Sequence, residues 1–225
     1  MTESSPSESV DPPEPVDPTK QNRFWKLTRL IARPIMALVF DLKVYGRQHV
    51  PSKGGVLLIS NHQSYLDPVL IGVYLERPMT YMAKSELFEN KYFGWLIRAL
   101  NAFPIKQRAG DVGAIKETIK RLKAGALLNV FPEGARTFTG ELGPIEPGSA
   151  LVIRRAGVPV VPCVIQGSFE AWPRTTKLPK PHPIAVMYGP ALKVEGLKAA
   201  QVTQLIDRTL RDMIAELRRI DRRIR

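Results

Sequence analysis

Cysteine is nearly missing from this chain of 225 residues. Cys163 stands alone, which excludes a disulfide within the chain and suits a reducing compartment. His49, His62 and His182 share no metal-ligand spacing with one another or with Cys163, so no metal site is expected. The G-x-S-x-G turn of a serine hydrolase is absent, and Ser168, in Gln-Gly-Ser-Phe, lacks that context. No uninterrupted apolar run approaches the roughly 20 residues needed to span a bilayer. Lys and Arg are absent from residues 1–19, where five acids sit among Pro and Ser with little to bury. Residues 1–21 therefore read as a disordered acidic tail. Without a basic start and an apolar run they do not read as a secretory signal, so export is not expected.

Positive charge is what the remainder has in excess. All 33 Lys and Arg lie beyond residue 19, against the 16 acids left once the five before it are set aside from 21. The rest of the chain is therefore near +17, above the +12 of the whole. Such a balance favours anionic partners: a phospholipid surface, a phosphorylated substrate or nucleic acid. No nucleic-acid-binding module is recognisable and no basic run is interleaved with aromatics, so nucleic acid is not expected. The closing RRIDRRIR reads first as a solvated helix end.

Residues 22–42 have helical periodicity. Phe24, Leu27, Ile31, Ile35, Leu38 and Leu42 recur at steps of three and four, with Lys26, Arg29 and Arg33 opposite. The pattern predicts an amphipathic helix, kinked or broken near Pro34. Either its apolar face lies on the core, or it is an interfacial helix whose Trp25 and basic face meet anionic headgroups.

From Gly55 onward strand-like and helix-like segments alternate. Strands are expected at 55–60, 80–85, 102–106, from 126 into a loop reaching 134, at 158–167 and at 183–192. Helices are expected at 68–76, 91–100, 112–123, 149–156 and from about 199 to the end. This alternation predicts an α/β fold: a single layered domain over 43–225, with a largely parallel central sheet flanked by helices and preceded by the amphipathic segment. In such sheets functional residues gather where strands end and loops begin.

Three strand ends carry chemistry-bearing residues. The first is Asn-His-Gln-Ser-Tyr-Leu-Asp-Pro, residues 61–68. A spacing of five does not stack His62 and Asp67 on one helical face. Because a pre-proline residue avoids helical geometry, Asp67 is expected to be the N-cap of a helix beginning at Pro68. A loop can still fold His62 back onto it. The stretch is then either an ordinary helix start or a proton-transfer pair, in which a carboxylate fixes the imidazole tautomer and the ring takes a proton from a bound hydroxyl. With a thioester as electrophile, the alcohol can attack directly and no acyl-enzyme is required. The second stretch, Phe-Pro-Glu-Gly-Ala-Arg at 131–136, puts Glu133 and Arg136 in a tight loop. Arg136 offers a planar fork for phosphate oxygens, and Glu133 can hold that arginine or accept a substrate hydroxyl. A weak surface ion pair is the other reading. In the third, Lys106 and Arg108 follow Ala-Phe-Pro-Ile, and alone they could be solvated charge.

Taken together and in order, NHQSYLDP, AFPIKQR, FPEGAR and VPVVPC resemble the motifs of the glycerophospholipid acyltransferase family, which includes the lysophosphatidate acyltransferases. The likeness spans roughly residues 40–195. It implies that His62 and Asp67 form a catalytic dyad, and that Arg108, Glu133, Gly134 and Arg136 bind the acceptor's glycerol phosphate. Lys84 would contact the substrate or stabilise the oxyanion. The fourth motif, Val158 to Cys163, would be an apolar strand at the site wall. Cys163, amid VVPCVI, reads as a core residue rather than an acyl carrier. The sequence departs from the family pattern at Ala135, usually Thr, and at Asn101, often Gly; both could alter acceptor preference.

The expected protein is thus a peripheral enzyme on the cytoplasmic face of an anionic phospholipid membrane. It would move a fatty acyl group from acyl-CoA or acyl carrier protein to lysophosphatidate, giving phosphatidate, with no cofactor and no metal. Another lysolipid or glycerol 3-phosphate is the alternative acceptor, and a catalytically inactive membrane-binding protein the alternative of another class. Oligomeric state is not legible.

Overall fold

A computed structural model describes residues 23–105 and 112–224. Its first half runs α1 (Arg23–Phe40), β1 (Lys43–Tyr45), β2 (Val56–Ser60), α2 (Asp67–Gly72), β3 (Met79–Lys84), α3 (Lys91–Ala99) and β4 (Ala102–Ile105). The second half runs α4 (Val112–Lys123), β5 (Leu127–Val130), α5 (Pro147–Arg155), β6 (Val160–Gln166), α6 (Ser168–Ala171), β7 (Ala185–Tyr188) and α7 (Ala199–Ile220). Among the described residues one seven-stranded sheet has the order β1-β7-β6-β2-β5-β3-β4. Neighbours from β6 to β4 are parallel, β7 is antiparallel to β6, and β1 is parallel to β7.

Composition explains which strands lie at the centre. Every residue of β2, β5 and β6 is buried, as in strands covered on both faces. Successive side chains point to opposite faces, so each strand feeds two cores. Leu57, Ile59, Leu128, Val130, Val160 and Val164 face α4, α5 and α7. Val56, Leu58, Leu127, Val161, Cys163 and Ile165 face α1 and α2. The expected layered α/β domain with a largely parallel sheet is the fold observed. β1 was not foreseen, being three residues of mixed character at the edge. α2 stops at Gly72 rather than 76, because the chain tightens there into a turn in which Leu75 N–H returns to Gly72 O.

The tail expected over 1–21 lies outside the described residues. α1 runs unbroken through Pro34, so the expected break does not occur. The helix also lies opposite to the core-packed reading. Trp25, Met36 and Phe40 are its buried residues, while Leu27, Leu30, Ile31, Ile35, Leu38 and Val39 are exposed. Arg29 and Arg33 point inward, each donating Nε–H to the carbonyl of Val73, the residue that caps α2. Trp25 lies beneath the Arg29 guanidinium, 4.2 Å from its ring centroid, and so does not face outward as an interfacial residue would.

The buried stripe of α7 (Val202, Ile206, Leu210, Ile214, Leu217) closes one core. Leu210→Ala is expected to cost about 2–5 kcal/mol and to lower Tm by about 4–20 °C. Arg208→Ala removes only a 3.7 Å ion pair between side chains 85% and 74% exposed, and should stay within about 0.5 kcal/mol. Thermal unfolding of the two variants checks the contrast.

Candidate active site

The site forms where β2, β5 and β6 deliver their C-terminal ends side by side. Asn61, the first residue beyond β2, is buried and makes two hydrogen bonds to the β6 backbone: Nδ2 donates to Ile165 O (2.9 Å) and Oδ1 accepts from Ile165 N (2.8 Å). The loop therefore leaves the sheet from a fixed point, with His62 next. Its ring stacks on Phe131, the residue after β5, with centroids 3.8 Å apart and planes 13° from parallel. Nδ1 lies 2.8 Å from Asp67 Oδ2. The loop thus brings together the two residues that the spacing of five left apart.

Asp67 is fully buried and accepts four hydrogen bonds. Oδ2 takes His62 Nδ1, Gln63 N (2.6 Å) and Ser64 N (2.7 Å), while Oδ1 takes the Ser168 hydroxyl (2.7 Å). The expected N-cap role is corrected. Leu66 is the N-cap and Asp67 the first helical residue, with its carboxylate turned back to donors upstream instead of amides downstream. An ionised carboxylate only accepts, so the pairing suits a neutral ring with its proton on Nδ1 and its lone pair on Nε2. The His62 side chain is 18% exposed, so the ring is within reach of a bound molecule.

The loop after β5 braces the histidine from behind. Glu133 Oε1 accepts from His62 N and Oε2 from Gly143 N, both at 2.7 Å, while Thr137 N donates to His62 O (2.9 Å). Burial pushes the Glu133 carboxyl above its ordinary value of 4.5, and the Gly143 and His62 amides pull it partly back. Glu133 therefore holds the His62 backbone, not Arg136. Gly134 adopts φ +70°, a turn that L side chains resist, and sends the chain outward. Arg136 then lies over the Tyr65 ring, 3.4 Å from its centroid, and its Nη1 is buried with no hydrogen-bond partner among the described residues. Arg174 donates to Arg136 O (3.1 Å) and stacks over Phe138 at 3.9 Å. Lys84 is the last residue of β3, opposite Ile105 of β4; its side chain is not among those described. Arg108 and Lys106 lie outside the described residues.

The sequence profile of the family described as Acyltransferase matches residues 41–166, which hold His62, Asp67, Glu133 and Arg136. The chain belongs to this acyltransferase family. The 1-acyl-sn-glycerol-3-phosphate acyltransferase of Bacillus subtilis is 34% identical over 145 residues, 64% of this chain and 72% of that one. The enzyme of that name from Pseudomonas aeruginosa is 30% identical over 205 residues, 88% of this chain and 76% of its own. Among solved structures, the 1-acyl-sn-glycerophosphate acyltransferase PlsC of Thermotoga maritima superimposes with a TM-score of 0.68 at 24% identity, over 84% of this chain and 79% of that one. That last likeness is one of fold.

Within this acyltransferase Cys163 is a core residue, fully buried, and burial raises its thiol well above the ordinary value. Among the described residues no group of three or more His, Cys, Asp or Glu is arranged to hold a metal. Sequence reading missed Ser168, Asn61, Tyr65 and Arg174. Asn61 and Tyr65 lay within the first motif and could have been questioned there. Ser168 was weighed only as a nucleophile.

The two amides on Glu133 need a carboxylate. In Glu133→Gln the side-chain NH₂ must face one backbone N–H, which should cost about 1–3 kcal/mol. The raised folded-state pKa also has a sign. The folded protein holds this proton more tightly than the unfolded chain, so stability is lost as pH rises from below 4.5 through the raised value. Urea unfolding across this range should show that slope in the difference between the unaltered protein and Glu133→Gln.

Proposed function

We propose that the protein transfers a fatty acyl group from a thioester, acyl-CoA or acyl carrier protein, to the free hydroxyl of lysophosphatidate, forming phosphatidate. The observation that carries this reading is the His62–Asp67 bond of 2.8 Å on a buried carboxylate saturated with donors. It leaves His62 Nε2 as a base fixed in one tautomer. The family membership and the names of the Bacillus and Pseudomonas relatives support the acceptor class.

In the proposed reaction Nε2 takes the acceptor's hydroxyl proton as its oxygen attacks the thioester carbonyl. Asp67 stabilises the imidazolium that forms. The tetrahedral adduct collapses, the carbon–sulfur bond breaks, and the Nε2 proton passes to the departing thiolate. Protons and charge balance without an acyl-enzyme. Arg136 is the proposed phosphate ligand, its guanidinium seated on Tyr65 with Nη1 in want of an acceptor, and its planar fork suits two phosphate oxygens. Arg108 is assigned a second phosphate contact, and Lys84 a contact to the reacting carbonyl, on the family resemblance. Glu133 and Gly134 support the acceptor site indirectly: one fixes the His62 backbone and the other aims the chain at Arg136.

The outward stripe of α1 supports a peripheral seat on the cytoplasmic membrane face. No described helix is long and apolar enough to cross a bilayer. Six exposed apolar side chains on one helix instead favour burial at the headgroup level, beside a lipid substrate.

Purified protein given lysophosphatidate with acyl-CoA or acyl carrier protein in turn should release thiol and form phosphatidate with at least one donor. His62→Ala should lower kcat about 10²–10⁴-fold; an active, folded variant would overturn the dyad. Arg136→Lys should raise the acceptor KM about tenfold or more while thioester hydrolysis changes little, because a point charge cannot replace a bidentate fork. Leu30 and Leu38 are 71% and 86% exposed. Replacing both with Glu should leave the fold intact but weaken binding to anionic liposomes by more than about tenfold. Unchanged flotation with vesicles would refute the seat.

A further inference from the structure

We infer that Ser168 is a positioning residue for the acyl-transfer dyad, acting through Asp67. This rests on the proposed reading of His62 as the base. The hydroxyl is fully buried, and Oγ lies 2.7 Å from Asp67 Oδ1, the oxygen that no backbone amide reaches. It also lies 3.2 Å from Gln63 Oε1. A hydroxyl has one proton, and Gln63 cannot turn its NH₂ toward Ser168 without losing the 2.6 Å bond that Nε2 donates to Gly140 O. The proton therefore goes to the nearer, charged acceptor.

The chain is shaped to deliver this hydroxyl. After β6, Gly167 takes φ +88°, and a Cβ there would stand 2.1 Å from the Pro183 carbonyl oxygen. Only glycine fits, and the turn it permits points Ser168 back beneath α2. The loop is tied down a second time by Ser64 Oγ, which donates to Trp172 O (2.8 Å).

The consequence for His62 is geometric and electrostatic. Three donors pull on Oδ2 from one side. Without an opposing donor on Oδ1 the carboxylate can rotate about its Cβ–Cγ bond, and the Nδ1–H bond loses its alignment. The Ser168 proton also withdraws charge from the carboxylate. Its loss changes the charge that Asp67 presents to the imidazolium.

Four readouts test this in Ser168→Ala. kcat should fall about tenfold, the size of one hydrogen bond to a charged group. The acceptor KM should stay within about twofold, and the acidic limb of the pH–rate profile should be displaced from that of the unaltered protein. The low-field proton resonance of the His62 Nδ1–H, observed without substrate, should shift or broaden. Ser168→Cys, a weak donor of similar size, should fall between, and it replaces the alanine variant should that fail to fold. A folded variant with kcat, acidic limb and resonance all unchanged would overturn the assignment. So would a rise in acceptor KM at constant kcat, which would put Ser168 in substrate binding. If the unaltered protein proves inactive the proposed function falls, while the resonance still decides what Ser168 does to the dyad.

Discussion

A carboxylate with no solvent exposure must find all its donors inside the protein, and the site is arranged around that demand at Asp67. Leaving such a charge unpaired would cost several kcal/mol. The four donors that offset this come from the loop after β2 and from the segment after β6, so both must hold their places for the charge to stay buried. Glu133 repeats the logic one strand away, with two amides on a second buried carboxylate. His62 is held between them, by its ring on Asp67 and by its backbone on Glu133. The two acids act on each other: Asp67 is among the charges that raise the Glu133 carboxyl, though burial is the larger cause.

The same constraint reaches α1 through α2. Asp67 begins α2 and Val73 ends it, and the Val73 carbonyl accepts from both Arg29 and Arg33. Those arginines satisfy a helix end that the short, buried α2 could not satisfy alone. Spending them inward turns the leucines of α1 outward. The inverted amphipathicity of α1 is therefore tied to where the His62–Asp67 loop sits, and the proposed membrane seat lies one short helix away from the proposed base.

The layers were legible because their signal is local. Continuous apolar runs marked β2, β5 and β6, and the 3.6-residue stripe marked α7. β1 carried no such signal; its three residues are a strand only because β7 lies alongside. The Asp–Pro pair pointed to an N-cap, and the helix does start there, but a tertiary demand outweighed the local rule and turned the carboxylate toward His62. His62 and Asp67 share one short motif that a loop could fold back on itself, whereas Ser168 lies 101 residues from Asp67 and its neighbours in sequence do not name that partner. The glycine before it was the available clue, since a Gly-Ser at the end of a buried strand marks a backbone turn that other residues resist.

Charge separation within the third motif decides what the site can attract. A Glu and an Arg three residues apart read as a pair, and paired they would have cancelled. Gly134 turns the chain between them, so Glu133 goes inward to two amides and Arg136 goes outward to lie on Tyr65. An aromatic face stabilises a guanidinium without neutralising it. Arg174 is held in the same way over Phe138, and its bond to the Arg136 carbonyl brings a second cation to the rim without a carboxylate. Negative charge is thus buried against the histidine, Asp67 on its ring and Glu133 on its backbone, while the two guanidinium groups rest on aromatic rings. Under the proposed function, an anionic acceptor would find two guanidinium groups that rest on aromatic rings instead of on carboxylates.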